Sequence, residues 1–350
     1  MAKTTTKHTS YNKADARAFY NSSLPASLME LTDNPAYRFD SAEAASVFFA
    51  RELDAVKAKS YDKQYPQLTA LTLFPQNTEA DAGAETITYY TYDMEGVAKI
   101  IDNYSDDLPR ADVNGKPNVA FVYGIGSSFG YSTQEMRASR MAGKGLDARK
   151  ADSAHYQVDS KINRIAWAGD PDHNILGALS TAQNIPTYTI QAGTTTNTTS
   201  WLTKDADEII ADVSGMYGQV SRTTKQVERP DTLVLPTDIY TALSLKRVGD
   251  TGETVLSYIE KHAPFLKEIV PAAELNADSV ETNPYAAASN GSAVAFLFTN
   301  DADKIELNNP MPYMQGTAQA RNLEMVVPCE ARTAGVICFY PMSALIAVGV

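Results

Sequence analysis

Apolar residues recur along the chain in two periods, and the switch between them predicts the elements. Residues 1–40 are polar and poor in periodic apolar positions, which predicts an extended arm, with Asn34-Pro35 marking a turn. Ala42, Ala45, Phe49, Leu53 and Val56 then fall at helical spacing. Asp40, with Glu43 three residues on, opens that helix as a capping box, and it decays by Ser60. Thr86–Tyr92 is dense in β-branched and aromatic residues and predicts a strand; Val119–Tyr123 predicts a second. Between them lies a long polar excursion that contains Lys99–Arg110 and closes on an expected turn at Asn114-Gly115-Lys116-Pro117. Ordered excursions of this length usually carry function or touch a partner.

A helical block follows. Ser132 and Glu135 fit a capping box, and Gly143 and Gly145 divide the block in two. The second helix is expected to open on Asp147 and to bury one stripe, Ala151, His155, Val158, Ile162 and Ile165, until Gly169-Asp170-Pro171 stops it. Its length is about 30 Å at ~1.5 Å per residue. Residues 174–203 contain no charged side chain, and Thr194–Thr199 within them reads as a loop. A third helix starts near Thr203, has Asp205, Asp207 and Glu208 in its first turn, and buries Ile209, Val213, Met216 and Val220. Leu233–Leu235 is a strand stopped by Pro236. Thr237 is expected to cap a short helix carrying Ile239, Leu243 and Leu245, and Val255–Lys261 forms another. The last third alternates as strands over 293–299, 304–307, 323–328, 335–340 and 345–350. Elements in this order are α+β rather than a βαβ series, and no period of ~20–50 residues marks a solenoid.

Composition narrows the function. With 44% hydrophobic and 21% charged residues the chain is globular. No run approaches ~18–20 apolar residues, and the polar first residues show no secretory signal. Lys+Arg of 30 against Asp+Glu of 42 gives a net charge of −12, which disfavours a protein whose main task is gripping nucleic acid. Arg137, Arg140, Lys144, Arg149 and Lys150 form a local basic cluster, read as a solvated or intersubunit face. Cys329 and Cys338 are too few for a disulfide framework or a thiolate metal site and are expected as buried thiols. His8, His155, His173 and His262 show no metal-ligand spacing, so neither metal nor cofactor is expected. Gly124-Ile125-Gly126-Ser127-Ser128-Phe129-Gly130 sits between a strand and a helix like a dinucleotide turn, but its spacing is G-x-G-x-x-x-G, which favours a flexible strand end. A nucleotide-dependent enzyme built on Gly124–Gly130 stays open as the alternative of another class.

These strings, taken in order, resemble tailed-phage major capsid proteins of the Hong Kong 97 type. The carriers are Gly96–Ile101, Asp107–Asp112 with its Leu108-Pro109-Arg110, Tyr131–Met136, Leu146–Lys150 leading into the long helix, Trp167–Asp170 with Ile175–Leu179 after it, and Asp231–Tyr240. The resemblance runs from about residue 40 to the end. It implies an α+β fold with an N-terminal arm and helix (1–67), an extended β-hairpin loop with flanking strands (68–131), a spine helix with peripheral domain (132–185), a mainly axial domain (186–320) and closing C-terminal strands (321–350). It further implies a non-enzymatic shell protein, made and assembled in a host cytoplasm, that forms hexamers and pentamers of an icosahedral virion. Such a shell encloses double-stranded DNA without sequence-specific binding. Portal, scaffolding and decoration proteins are the other implied partners, with no membrane. A related nanocompartment shell is the alternative within the fold. The loop's intersubunit contact candidates are Ile100, Tyr104, Leu108, Arg110 and Lys116.

Overall fold

The computed structural model describes residues 64–100, 108–142, 148–250, 252–288 and 293–350. Residues Pro66–Val350 make one folded unit. Its elements are α1 (Ala70–Leu73), β1 (Gln76–Asn77), β2 (Thr86–Glu95), β3 (Asp112–Phe121), β4 (Tyr123–Ser132), α2 (Thr133–Ala142), α3 (Arg149–Ala168), β5 (Thr187–Thr189), α4 (Ala206–Thr223), β6 (Thr232–Pro236), α5 (Thr237–Leu245), α6 (Val255–His262), β7 (Glu268–Ala272), α7 (Pro284–Ala288), β8 (Val294–Phe298), β9 (Ile305–Asn308), β10 (Met311–Gln315), β11 (Gln319–Arg321), β12 (Glu324–Thr333), β13 (Gly335–Cys338) and β14 (Ala344–Val348). The arm expected over 1–40 and the helix expected over 42–56 lie outside the described residues.

A five-stranded mixed sheet in the order β5-β14-β8-β6-β7 divides the interior. Its middle strands are apolar on both faces, as burial on two sides requires. Val234, Phe296, Phe298, Ala344 and Ile346 enter one core, where they meet Phe74 and the long helix through Val158, Ile162, Ala166 and Trp167. The alternate residues Leu233, Leu235, Ala295, Leu297, Leu345 and Ala347 enter a second core, built by α4, α5 and α6 around Trp201. The C-terminal strand β14 lies between β5 and β8, paired on both sides. Phe74, Trp167 and Phe296 meet edge to face with centroids 5.3–6.5 Å apart, a favoured aromatic arrangement.

Helix α3 carries its buried stripe differently from the simplest reading of its period. Ala154, Val158, Ile162, Ile165, Ala166 and Trp167 are buried, Ala151 is half-buried, and His155 is exposed. Position 155 points in nearly the same direction as Ile162, seven residues on, so its exposure comes from its place in the helix's N-terminal half, before the stretch that enters the core. His155 instead lies against the Tyr313 ring at 4.3 Å and beside the Asp159 carboxylate at 3.3 Å. The N-cap position is Ala148, without a side-chain cap, and Asp147 lies outside the described residues. The helix ends as expected at Gly169, whose φ of 76° favours glycine. A Cβ on the facing Gly177 would lie 2.1 Å from the Gly169 nitrogen, so the returning chain passes too close for any other residue.

The capping box at α2 forms in both directions: Glu135 N–H donates to Ser132 Oγ at 3.1 Å, and Ser132 N–H donates to the Glu135 carboxylate at 3.0 Å. Thr237 does not cap α5; it is the first helical residue after Pro236, and Leu245 at the far end is exposed rather than buried.

Candidate assembly surface

Strands β2 and β3 form a two-stranded antiparallel ribbon in unbroken register from Thr86↔Phe121 to Glu95↔Asp112. Its strands run further than the β-branched runs predicted. The expected turn at Asn114–Pro117 is strand, because these residues pair with Tyr90–Asp93. Gly115 permits it: a Cβ there would sit 3.0 Å from the Tyr92 ring, which folds over the bare backbone. Pro117 is tolerated because both strands are edges, where a missing N–H breaks no sheet.

Directly opposed residues share a face. One face of the ribbon carries Tyr90, Tyr92, Met94, Val113, Val119 and Phe121, and every one is exposed. Tyr92 is 72% and Met94 87% accessible. The other face begins against the body, with Ala120 buried and Tyr89 edge-on to Phe339 at 5.0 Å, and ends in Asp93, Glu95, Asp112, Asn114 and Lys116. The pattern is inverted from that of a solitary soluble ribbon. Its free face is apolar and its polar groups cluster at the distal end of the opposite face. Contiguous exposed apolar surface of this kind marks an interaction site.

Among the loop residues singled out from sequence, Ile100 is 99% accessible, and Leu108, Arg110 and Lys116 are exposed as well. Tyr104 lies outside the described residues. The cross-strand alternation that sets Tyr90, Tyr92, Met94 and Val113 on one face is visible in the sequence only once the register is known.

The ribbon leads through Val122 directly into β4, and the base is held by several bonds. Val122 N–H donates to the Glu85 carbonyl at 2.9 Å, and Arg332 donates to the Ala82 carbonyl. Tyr123 meets His173 edge-on at 5.1 Å. His173 in turn lies 3.1 Å from Asp170, with Lys161 at 3.9 Å. Partial burial would raise the Asp170 pKa, but His173, Lys161 and the Asp172 N–H together hold it below the ordinary value. The Gly124–Gly130 run is not a flexible strand end. It is the interior of the ten-residue strand β4, paired throughout with β12. An extended ladder does not converge its N–H groups on a phosphate as a dinucleotide turn does.

Two buried polar clusters were not legible beforehand. The Glu274 carboxylate accepts from Thr69 N–H at 3.1 Å, Thr69 Oγ1 at 2.8 Å and Asn163 Nδ2 at 2.8 Å, while Asn163 Oδ1 accepts from Ala70 N–H at 2.9 Å. This clamp fastens the start of α1 to α3. In the second core, Asp212 accepts from Lys204 Nζ at 2.6 Å and Trp201 Nε1 at 3.0 Å. Cys329 and Cys338 are both buried free thiols, and burial pushes the Cys338 pKa up to about 11. Among the described residues, no group of three His, Cys, Asp or Glu side chains is placed to hold a metal, and no helix is long and apolar enough to cross a membrane.

No curated protein sequence matches the chain. Solved structures do match, at identities that carry the fold alone. The capsid protein of Myoviridae phage XM1 superposes with a TM-score of 0.72 at 15% identity, over 87% of this chain and 100% of that one. Mycobacterium phage Ogopogo gives 0.56 at 12% identity, over 87% and 99%. The virus-like particle from Pyrococcus furiosus gives 0.51 at 11%, over 79% and 91%. The fold is thus the α+β fold of Hong Kong 97-type capsid proteins. A family model described as major capsid protein matches residues 96–350, most of the chain, including β3, the long helix and the whole second core, and beginning just after β2. With an exposed apolar ribbon and a structural rather than enzymatic family, this chain belongs to the major capsid proteins, the shell-forming subunits of phage virions.

Proposed function

We propose that the chain closes an icosahedral head around double-stranded DNA as hexamers and pentamers of itself, and that it works without a catalytic centre. The observation that carries this reading is the ribbon 86–121, whose free face is apolar and exposed in the isolated subunit. Burying Tyr90, Tyr92, Met94, Val113, Val119 and Phe121 against a neighbour removes that surface from water. At ~25 cal/mol per Å² each contact stays modest, and a closed shell sums many of them. Ile100, Tyr104, Leu108, Arg110 and Lys116 are assigned to the same intersubunit contact.

The net charge of −12 supports a subunit that stays soluble before assembly. DNA is then confined by the shell rather than gripped. Portal, scaffolding and decoration proteins are the further partners of this reading, and synthesis and assembly take place in the host cytoplasm. The test is deletion of residues 100–114. The expected product is a folded subunit that forms no particles by negative-stain imaging; normal particles would overturn the assignment. A protein-filled nanocompartment shell is the second reading, less supported than the virion head because the family match is to major capsid proteins. Nucleic acid inside purified particles decides against it.

A further inference from the structure

Strand β4 is an edge. It pairs with β12 on one side, and among the described residues no strand pairs with its other side. Which backbone groups face outward follows from a proline. Pro328 lies opposite Ser128, and its carbonyl accepts from Gly316 N–H at 2.8 Å, away from β4. Pro328 and Ser128 are therefore a non-hydrogen-bonded pair, in which both residues direct N–H and C=O away from each other. The register is unbroken, so alternation gives Gly124, Gly126 and Gly130 the same outward direction. The Gly130 carbonyl agrees: it accepts from Lys150 Nζ of α3 at 3.0 Å. Gly124, Gly126 and Ser128 are exposed.

Among the described residues, only Lys150 at Gly130 covers this edge, and the strand itself carries none of the usual protections. Residues 123–132 carry no charge, no proline and no bulge, whereas natural edge strands are blunted by such devices. It borders a groove of about 460 Å³ between Ser127–Gly130 and the first turns of α3, rimmed by Arg149 and Lys150. The edge also continues the ribbon, since only Val122 separates β3 from β4.

We infer that β4 receives an added strand from a second copy of this chain, laid along Gly124–Ser128 with one end at the groove beside α3. Three observations select that occupant. The chain belongs to a shell-forming family, so copies meet face to face. The groove's rim carries Arg149 and Lys150, the latter shared with Glu135 at 3.0 Å, while a copy is an acidic body of net charge −12. The edge is continuous with the apolar ribbon already assigned to intersubunit contact. Main-chain hydrogen bonds would supply affinity with little demand on sequence, and the absence of side chains at Gly124 and Gly126 leaves room for close approach. This inference rests on the shell reading.

Hydrogen exchange on the full chain, as unassembled subunit and as shells, tests it. The amides of Gly126 and Ser128 are expected to exchange fast in the subunit and at least ~100-fold slower in shells, as an amide that gains a partner does. Equally fast exchange in formed shells would overturn the inference and leave the shell reading standing; failure of the chain to form shells under any condition would overturn both. A photo-crosslinker at position 128, in shells grown from mixed ¹⁴N and ¹⁵N subunits, identifies the occupant. Mixed-isotope adducts support a second copy; adducts within one chain only, or to a different protein, overturn it. Ser128→Pro removes an outward N–H that no ladder bond uses, so it is expected to fold normally yet fail to assemble where wild type does. Normal assembly of that variant counts against the added strand.

Discussion

Replacing Lys204 by methionine tests the account of the second core. Lys204 Nζ is enclosed with Asp212, its side chain 3% and that of Asp212 9% accessible. It donates to the Asp212 carboxylate at 2.6 Å and to the Gln191 carbonyl at 2.7 Å, and Asp212 also accepts from Trp201 Nε1. The cluster fastens the uncharged loop before α4 onto that helix. Lys204→Met leaves the carboxylate buried with only the indole N–H as partner. Removing one member of a buried pair costs about 3–5 kcal/mol, or roughly 4–7 °C at ~2.1 cal/mol/K of unfolding entropy per residue over 350 residues. Adding Asp212→Asn removes the stranded charge while keeping an acceptor for Trp201, and is expected to recover about 2 kcal/mol. Urea unfolding of the unassembled subunit followed by tryptophan fluorescence measures both, since Trp167 and Trp201 are the only indoles and both are buried. A loss below about 1 kcal/mol for Lys204→Met, or no recovery in the double variant, would refute the reasoning.

The long helix offers a contrast between neighbours in sequence. Val158→Ala is expected to cost about 2 kcal/mol in the same assay, and His155→Ala less than about 1, because only Val158 enters the core. Glu274→Ala strands Thr69 and the Asn163 amide whose oxygen holds Ala70, and is expected to speed amide exchange across α1 while leaving the second core unchanged. Cys338 is protonated up to about pH 11, so native subunit at pH 8 should resist iodoacetamide at this thiol and react fully in urea; stoichiometric native labelling would contradict its burial. Its raised folded-state value means this contribution to stability is complete below about pH 9 and is lost as pH climbs towards 11. At Asp231, burial alone would raise the pKa, but Lys267 at 2.6 Å, Asn300 N–H at 2.9 Å and Thr232 hold it net low. The stabilisation is present above the unfolded value and lost as pH falls through the lower folded one. Lys267→Met should therefore move the acid-unfolding midpoint to higher pH.

Much of the architecture is written in local periodicity. The stops at Gly169 and Pro236, the capping box at Ser132, the stripe Ile209, Val213, Met216 and Val220, and the closing strands all follow from rules that act within a few residues. What escaped depends on partners distant in sequence. Asn114–Pro117 has turn composition and becomes strand because Tyr90–Asp93 lies opposite. Gly124–Gly130 looks mobile and becomes a strand because β12 pairs with it from two hundred residues later. The short strands β5, β7, β10 and β11 were not anticipated, since a few residues carry no period of their own. His155 shows the limit of period alone: it shares its direction on the helix with Ile162, yet it lies near the N-terminal end, where Tyr313 rather than the core stands beside it. The candidate surface was half legible. The excursion announced itself by its length, but the apolar face exists only in the register of the ribbon.

The central claim is that one exposed apolar ribbon face joins copies of this chain into a shell. Sedimentation and negative-stain imaging of the purified full chain, beside a Tyr90→Ser/Tyr92→Ser/Met94→Ser variant, test it most directly. The account predicts closed particles for the wild type, and folded, slowly sedimenting subunits of unchanged thermal stability for the variant. Particles of equal yield and size from both chains would contradict it.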